Sequence, residues 1–348
     1  MHNMADQSAV PERPMRDGIA PWFHARKPLG IAHEGSFAVL QPTAEKVSWL
    51  PYSHTDVDGY AAMIRLFDHY GIRHYRPPRH NRAAPPGIRR VFSALASAPA
   101  AARIPPRWRS TASAAAVAQS PPAWRLFSEA ETAALQASAR RQRVWITSLL
   151  LGALHRVVAQ SLLLSDGGGW LFPVNLRGAY PEAREDAGNY VGGFYVQLPA
   201  MASAARVQAE VRAGLRAMRH WWSWYQARLA AFLPQSLINL IYRRMLQRNH
   251  YLGSFSFGGD WQVDFAAAGL PADSALLACA PGSPNHPVAN GMIICNGRLS
   301  LALRLDPVLG VDQQGQQQLL DAWCNELLAG MATARPDTAE ADRAAVNL

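Results

Sequence analysis

His54 and Asp58, four residues apart in Ser53-His54-Thr55-Asp56-Val57-Asp58-Gly59, are the residues whose types and spacing best suit chemistry. An imidazole titrates near neutrality and can take a proton from a hydroxyl or amine nucleophile. Asp58 can hold the loop in shape or pair with an arginine, and Gly59 permits a tight exit into a following helix. A histidine four residues before an aspartate is a short pattern that arises often by chance. On pattern alone, a surface or loop-structuring histidine stands beside the catalytic one.

The elements around this segment follow from periodicity and punctuation. Phe37–Leu40 and Lys46–Tyr52 read as short extended runs, the second ending directly at the His54 segment. Tyr60–Tyr70 spaces Ala61, Ile64, Phe67 and Tyr70 as a helix does. The segment therefore lies between a strand and a helix, where a side chain can project into a cleft. Residues 1–35 read as irregular. The proline pairs between Pro77 and Pro122 remove backbone donors and block helix continuation, so that stretch reads as a linker with at most one short helix, Ile88–Ala96.

The second half is more regular. Ser128 and Glu131 fit a capping box that opens a helix to about Arg141. Thr147 suits the cap of a second helix through Leu163, and Gly167–Gly169 a turn before a buried strand, Trp170–Leu176. Gly192–Leu198 reads as a strand, Ala204–His220 as a helix prolonged by the aromatic run Trp221–Tyr225, and Ser236–Gln247 as another helix. Asn296-Gly297 joins two strands into a hairpin, Gln316–Leu328 closes the chain as a helix, and Met331–Leu348 is a polar tail. Mixed strands and helices in two halves predict an α/β layered sandwich. The expected divisions are 1–35, 36–82 with the histidine segment, the linker 83–122, a C-terminal half 123–330, and the tail 331–348.

Of 348 residues, 34 are basic and 25 acidic, a formal charge of +9. Such a surplus favours anionic partners: nucleic acid, a phospholipid surface, coenzyme A or an acidic carrier protein. Cys279, Cys295 and Cys324 are far apart and without CxxC spacing, which argues against a zinc site, a redox pair or a disulfide framework. Met1–Ala20 carries charges and no apolar core, unlike a signal peptide. Val144–Leu164 is interrupted by His155, Arg156 and Gln160, unlike a membrane span. The expectation is a cytoplasmic protein.

The segment Ser53–Gly59 resembles the HHxxxDG signature of the condensation-domain and chloramphenicol-acetyltransferase superfamily, which includes wax ester synthases and plant BAHD acyltransferases. It agrees at the second histidine, His54, and at Asp58 and Gly59; Ser53 stands where the first histidine is usual. Phe127–Val158 resembles the helix pair of that superfamily. Pro173-Val174-Asn175-Leu176-Arg177 followed by Gly188-Asn189-Tyr190-Val191-Gly192 is similar to its PVNLR…GNYVG block, and Asn290–Leu305 with Asp306-Pro307 to its late hairpin. The blocks occur in the family order between about Val47 and Leu328. Only 53 residues precede His54, fewer than the resemblance leads one to expect, so the N-terminal half is reduced.

The resemblance implies acyl transfer from a thioester, with His54 as general base and Asp58 and Gly59 as structural support. In the family the aspartate pairs with an arginine, for which Arg177 is a candidate. Asn175, Arg177, Asn189, Ser254 and Ser256 are candidates to line the tunnel or the carbonyl pocket. No metal or resident cofactor is implied; coenzyme A or a phosphopantetheine thioester is the co-substrate. Acyl-CoA or an acyl carrier protein is the expected donor partner, and a small molecule or lipid the acceptor. A protein that keeps the fold but only binds a carrier or another subunit is the alternative. The Trp221–Tyr225 run with its neighbouring arginines reads as buried core or, alternatively, as a basic surface in peripheral contact with the inner face of a membrane. Nucleic acid is disfavoured because no recognised binding-fold pattern accompanies these residues.

Overall fold

A computed structural model describes residues 18–31, 34–42, 47–80, 83–98, 104–111, 120–180, 183–248 and 250–332. The N-terminal part begins with a short helix, α1 (Ala20–His24), and continues through β1 (Glu34–Leu40), β2 (Leu50–Ser53), α2 (Gly59–His69), β3 (Tyr75–Arg76) and α3 (Ile88–Ala96). Residues 20–31, expected to be irregular, thus carry a helix and a 3₁₀ turn at Lys27–Leu29. The short helix expected between the proline pairs is α3. Val91, its one buried side chain, packs with Trp221 and Trp224.

The C-terminal part contains β4 (Ala123–Leu126), α4 (Glu129–Arg141), α5 (Ile146–Leu162), β5 (Gly167–Asn175), β6 (Val191–Pro199), α6 (Ala204–Arg216), α7 (Arg219–Leu229) and α8 (Gln235–Arg248). It ends with β7 (Gly253–Ser254), β8 (Phe257–Val263), β9 (Ala275–Cys279), β10 (Val288–Cys295), β11 (Arg298–Leu305) and α9 (Gln313–Ala332). The capping box forms as its residues dictate, with the Ser128 N–H donating to Glu131 Oε2 at 2.7 Å and the Glu131 N–H to Ser128 Oγ at 3.2 Å. The hairpin forms too: Asn296 and Gly297, at φ 48° and 77°, take the left-handed conformations that a two-residue turn requires.

Several local expectations differ from the structure. Gly167–Gly169 is not a turn but the start of β5, because neighbours occupy the space of side chains there: a Cβ on Gly169 would lie 2.4 Å from the Gln197 amide. α5 starts at Ile146 with Trp145 at its cap position, so Thr147 lies inside the helix. The helix from Ala204 does not run on through the tryptophans; Met218, at φ 52°, separates α6 from α7.

Two sheets result. In the smaller, β1 lies between β2 and β9, antiparallel to both. The larger runs β6-β5-β7-β10-β11-β4 in order, with β8 continuing beside β10 past β7, and β3 on the edge of β8. Gly291 on β10 lets the smaller sheet cross: a Cβ there would stand 2.0 Å from the Ala278 carbonyl oxygen. The main core joins α4, α5, α6 and α9 to the larger sheet through side chains such as Leu150, Trp170 and Trp323. A second core packs Phe37, Val57 and Phe67 of the N-terminal part against Trp261, Leu276 and Ile293 of the C-terminal part. The architecture is an α/β layered one with a small N-terminal part. Among the described residues, no helix is long and apolar enough to cross a membrane.

Candidate active site

The His54 turn begins where β2 ends. Backbone N–H groups of Asp56 and Val57 both donate to the Ser53 carbonyl, at 3.0 and 3.2 Å, and the Ser53 hydroxyl lies 2.6 Å from that of Thr55. Val57 then pairs in parallel with Gly188, and the Asp58 N–H donates to the Gly188 carbonyl at 3.1 Å. The turn is therefore fixed between a strand and the Gly188-Asn189-Tyr190 segment, which lies more than a hundred residues away in the chain.

Asp58 is the centre of this fixation. Its side chain is 1% exposed, and both oxygens are in use. Oδ1 accepts from the Ala61 N–H at 2.9 Å as the cap of α2. Oδ2 accepts from Arg177 Nη2 at 2.7 Å and from the Tyr190 N–H at 2.8 Å. Arg177, 4% exposed, also donates to the carbonyls of Arg184, Ala187 (3.0 Å) and Gly188 (3.3 Å), and its guanidinium lies 4.8 Å from the centroid of the Tyr190 ring. A buried carboxylate that accepts three hydrogen bonds, one of them from a guanidinium, is held as an anion and serves to fix shape.

The other residues singled out from sequence divide into two groups. Asn189 donates from Nδ2 to the His54 carbonyl at 3.2 Å, and Asn175 Oδ1 accepts the Arg177 N–H at 2.9 Å. Both brace the His54 turn, directly or through Arg177. Ser254 and Ser256 belong to another part of the sheet, where buried Asn290 bridges them: its Nδ2 donates to the Ser254 carbonyl at 2.8 Å and its Oδ1 accepts the Ser256 N–H at 3.1 Å. Gly59 opens α2 with a φ outside the left-handed region, and a Cβ there would meet Tyr52 Oη at an ordinary 3.6 Å, so the exit from the turn does not require glycine.

The imidazole itself is half-buried between two aromatic rings. His54 Nε2 lies 3.4 Å from Tyr52 Oη. Burial, with the charges of Cys279 and Asp58 adding to it, pushes the Tyr52 phenol far above its ordinary range, so it stays a neutral hydroxyl. Phe23 of α1 stacks on the imidazole at 4.8 Å between centroids and 12° between planes. The Arg26 guanidinium lies 4.7 Å from the Phe23 centroid on its part. Neither Phe23 nor Tyr52 was found from sequence. Tyr52 lies at the end of β2, two residues before His54, so its nearness in the chain was an available signal. Phe23 comes from a helix of five residues with no periodicity to read.

The aromatic run also resolves. Trp221 and Trp224 are 9% and 3% exposed, and Trp224 Nε1 donates to Tyr180 Oη at 2.7 Å. Trp221 and Trp224 are thus core, packed behind Tyr180 and Tyr190, while Trp222 and Tyr225 are half-buried beside them. Gly192 lies where α7 passes: a Cβ would stand 2.3 Å from the His220 carbonyl oxygen. The glycine-rich block thus serves close packing. A groove of about 1140 Å³ is lined by Trp49, Pro121, Trp124 and Gln316, among others, and His54 is not among its lining residues.

No family model and no curated protein matches the sequence. Solved structures of similar fold do. The epimerization domain of the third module of tyrocidine synthetase B is 13% identical, with 70% of this chain and 55% of that one covered at a TM-score of 0.45. Polyketide synthase associated protein 5 from Mycobacterium tuberculosis is 14% identical over 84% of this chain and 76% of its own, TM-score 0.49. A condensation domain that releases chains from the enacyloxin polyketide synthase is 17% identical over 83% of this chain and 58% of its own, TM-score 0.44. The chain thus spans little more than half the length of two of these three. A likeness of this size says nothing about chemistry, which has to come from the geometry of His54 and its neighbours.

Proposed function

We propose that the chain is an acyltransferase that moves an acyl group from a coenzyme A or acyl-carrier-protein thioester to a hydroxyl or amine, with His54 as the general base. The observation that carries this reading is the division of labour in the turn. Asp58 and Arg177 neutralise each other and fix the backbone, Asn189 holds the His54 carbonyl, and the half-buried imidazole stands on that frame beside Tyr52 and Phe23. A base aimed by a rigid frame is what proton abstraction in a bound complex requires.

The step balances without a further reagent. His54 takes the proton of the acceptor O–H or N–H as that atom attacks the thioester carbonyl carbon. The C–S bond breaks, the acyl group is left as an ester or amide, and the proton passes to the departing thiolate. Tyr52, a neutral hydroxyl beside Nε2, supports one orientation of the ring. A second reading, a non-catalytic protein that binds an acyl carrier or a partner subunit, is favoured by Phe23 lying on the imidazole face and by Ser53 at the place of a first histidine. Mass spectrometry of the purified chain incubated with a panel of acyl-CoA and acyl-carrier thioesters and mixed alcohols and amines separates the two. New ester or amide masses that require the protein support acyl transfer. Tight carrier binding with no new mass establishes the second reading and ends the first.

A further inference from the structure

Charge in this chain is segregated, and the fold gathers one part of it beside an uncovered apolar surface. Residues 211–259 contain seven arginines and no acidic residue, and residues 69–128 contain ten and none, together half of the 34 basic residues. α3 from the second stretch packs on α7 from the first, through Phe92 edge-on to Trp222 at 5.0 Å between centroids. In α8, Ile238 and Tyr242 are buried against Ala25 and Ile31 of the N-terminal segment, whereas Leu237, Leu240 and Arg244, at helical spacing on the other side, are exposed. The 3₁₀ turn before α8 adds Phe232, 76% exposed, with Leu229 at 62% beside it. Among the described residues, six of the eleven large exposed apolar side chains fall between Leu229 and Met245, and no carboxylate pairs with Arg243 or Arg244.

We propose that the corner formed by Leu229–Leu233 and α8 docks on an anionic phospholipid surface. Large apolar side chains that stand out of a corner, with arginines on the adjoining helical face, match an interface that is apolar below and anionic above. Leu229, Phe232 and Leu233 enter the headgroup boundary, while Arg243 and Arg244 meet lipid phosphates. A protein partner suits the corner less well. The segment offers no acidic side chain to set register or exclude wrong partners, and its apolar groups project outward rather than line a groove. The inference stands apart from the acyl-transfer reading, since it uses none of the residues around His54.

Flotation of the full chain with vesicles tests it. Vesicles containing phosphatidylglycerol are expected to carry the protein at low salt, vesicles of phosphatidylcholine alone at least about tenfold less, and about 0.5 M salt to release it. Arg243→Gln with Arg244→Gln is expected to weaken binding about 30-fold, from roughly fivefold per arginine. Leu229→Ser with Phe232→Ser is expected to weaken it by about tenfold or more. Phe232→Trp keeps the apolar surface, and its added emission is expected to shift to the blue on anionic vesicles. No flotation with phosphatidylglycerol at low salt overturns the proposal. So does undiminished flotation of both double variants, or binding to nucleic acid or an acidic carrier protein without any binding to vesicles.

Discussion

His54 and His155 are the same side chain in opposite circumstances. His155 is wholly buried; its Nδ1 accepts from Trp170 Nε1 at 3.1 Å and its Nε2 donates to the Pro199 carbonyl at 2.8 Å. Both nitrogens are in use, and burial lowers its pKa to about 4, so it is a neutral strut between α5 and the larger sheet. His54 is half-buried on a turn whose rigidity comes from other residues: Asp58, Arg177 and Asn189. A protein that wants a histidine for structure closes both of its nitrogens. His54 is held through its backbone, and its ring sits beside the Tyr52 hydroxyl and the Phe23 face rather than inside the sheet.

Breaking the frame under His54 is expected to have the largest effect. Arg177→Met leaves Asp58 as a buried carboxylate without its cation, which costs about 3–5 kcal/mol. Thermal unfolding should fall accordingly, and any acyl transfer should fall with it as the turn loosens. If Arg177→Met melts like the parent, the frame is not what fixes the turn. Next in size is the acid limb. Burial lowers His155 and His220 to about 4 from an ordinary 6.5. Their folded pKa values lie below the unfolded ones, so the stability they contribute is present above pH 6.5 and is lost as pH falls toward 4. The slope is up to about 1.4 kcal/mol per pH unit for each. Denaturant midpoints measured across that range should drop, and His155→Gln should flatten part of the slope. At neutral pH, His155→Gln should cost about 1–3 kcal/mol by leaving a buried partner unsatisfied, with turnover per folded molecule unchanged; a matching loss of turnover would erase the contrast between the two histidines. The smallest expected effect is at Phe23. Phe23→Ala uncovers one face of the imidazole and should alter the acceptor KM several-fold with little change in Tm, read by steady-state kinetics.

Much of this was legible in the sequence for a physical reason. The turn from Ser53 to Gly59 is local, and the Pro173–Arg177 and Gly188–Gly192 blocks that meet it have distinctive composition, so a resemblance on three short segments pointed to Arg177 as a candidate partner of Asp58. The capping box at Ser128 and the Asn296-Gly297 hairpin are local in the same sense. What was not legible depends on distant contacts. Gly167–Gly169 looks like a turn until Gln197 and Leu252 are seen to fill the space of its side chains. Ala275–Cys279 shows no alternation because it is buried between sheets. The roles of Asn189 and Asn175 as braces, and of Phe23 as a cover, come from tertiary contacts that no spacing encodes.

The most direct measurement is the rate at which His54→Ala releases free thiol from an acyl thioester in the presence of an acceptor that the parent protein uses. The ring is half-buried and the turn is fixed by Asp58, Arg177 and Asn189, so the variant should fold with a Tm close to the parent's. The account predicts a fall in kcat of about 10²–10⁴-fold, the usual contribution of a general base, with Asp58 and Arg177 intact. A folded His54→Ala protein that transfers acyl groups at the parent rate would contradict it.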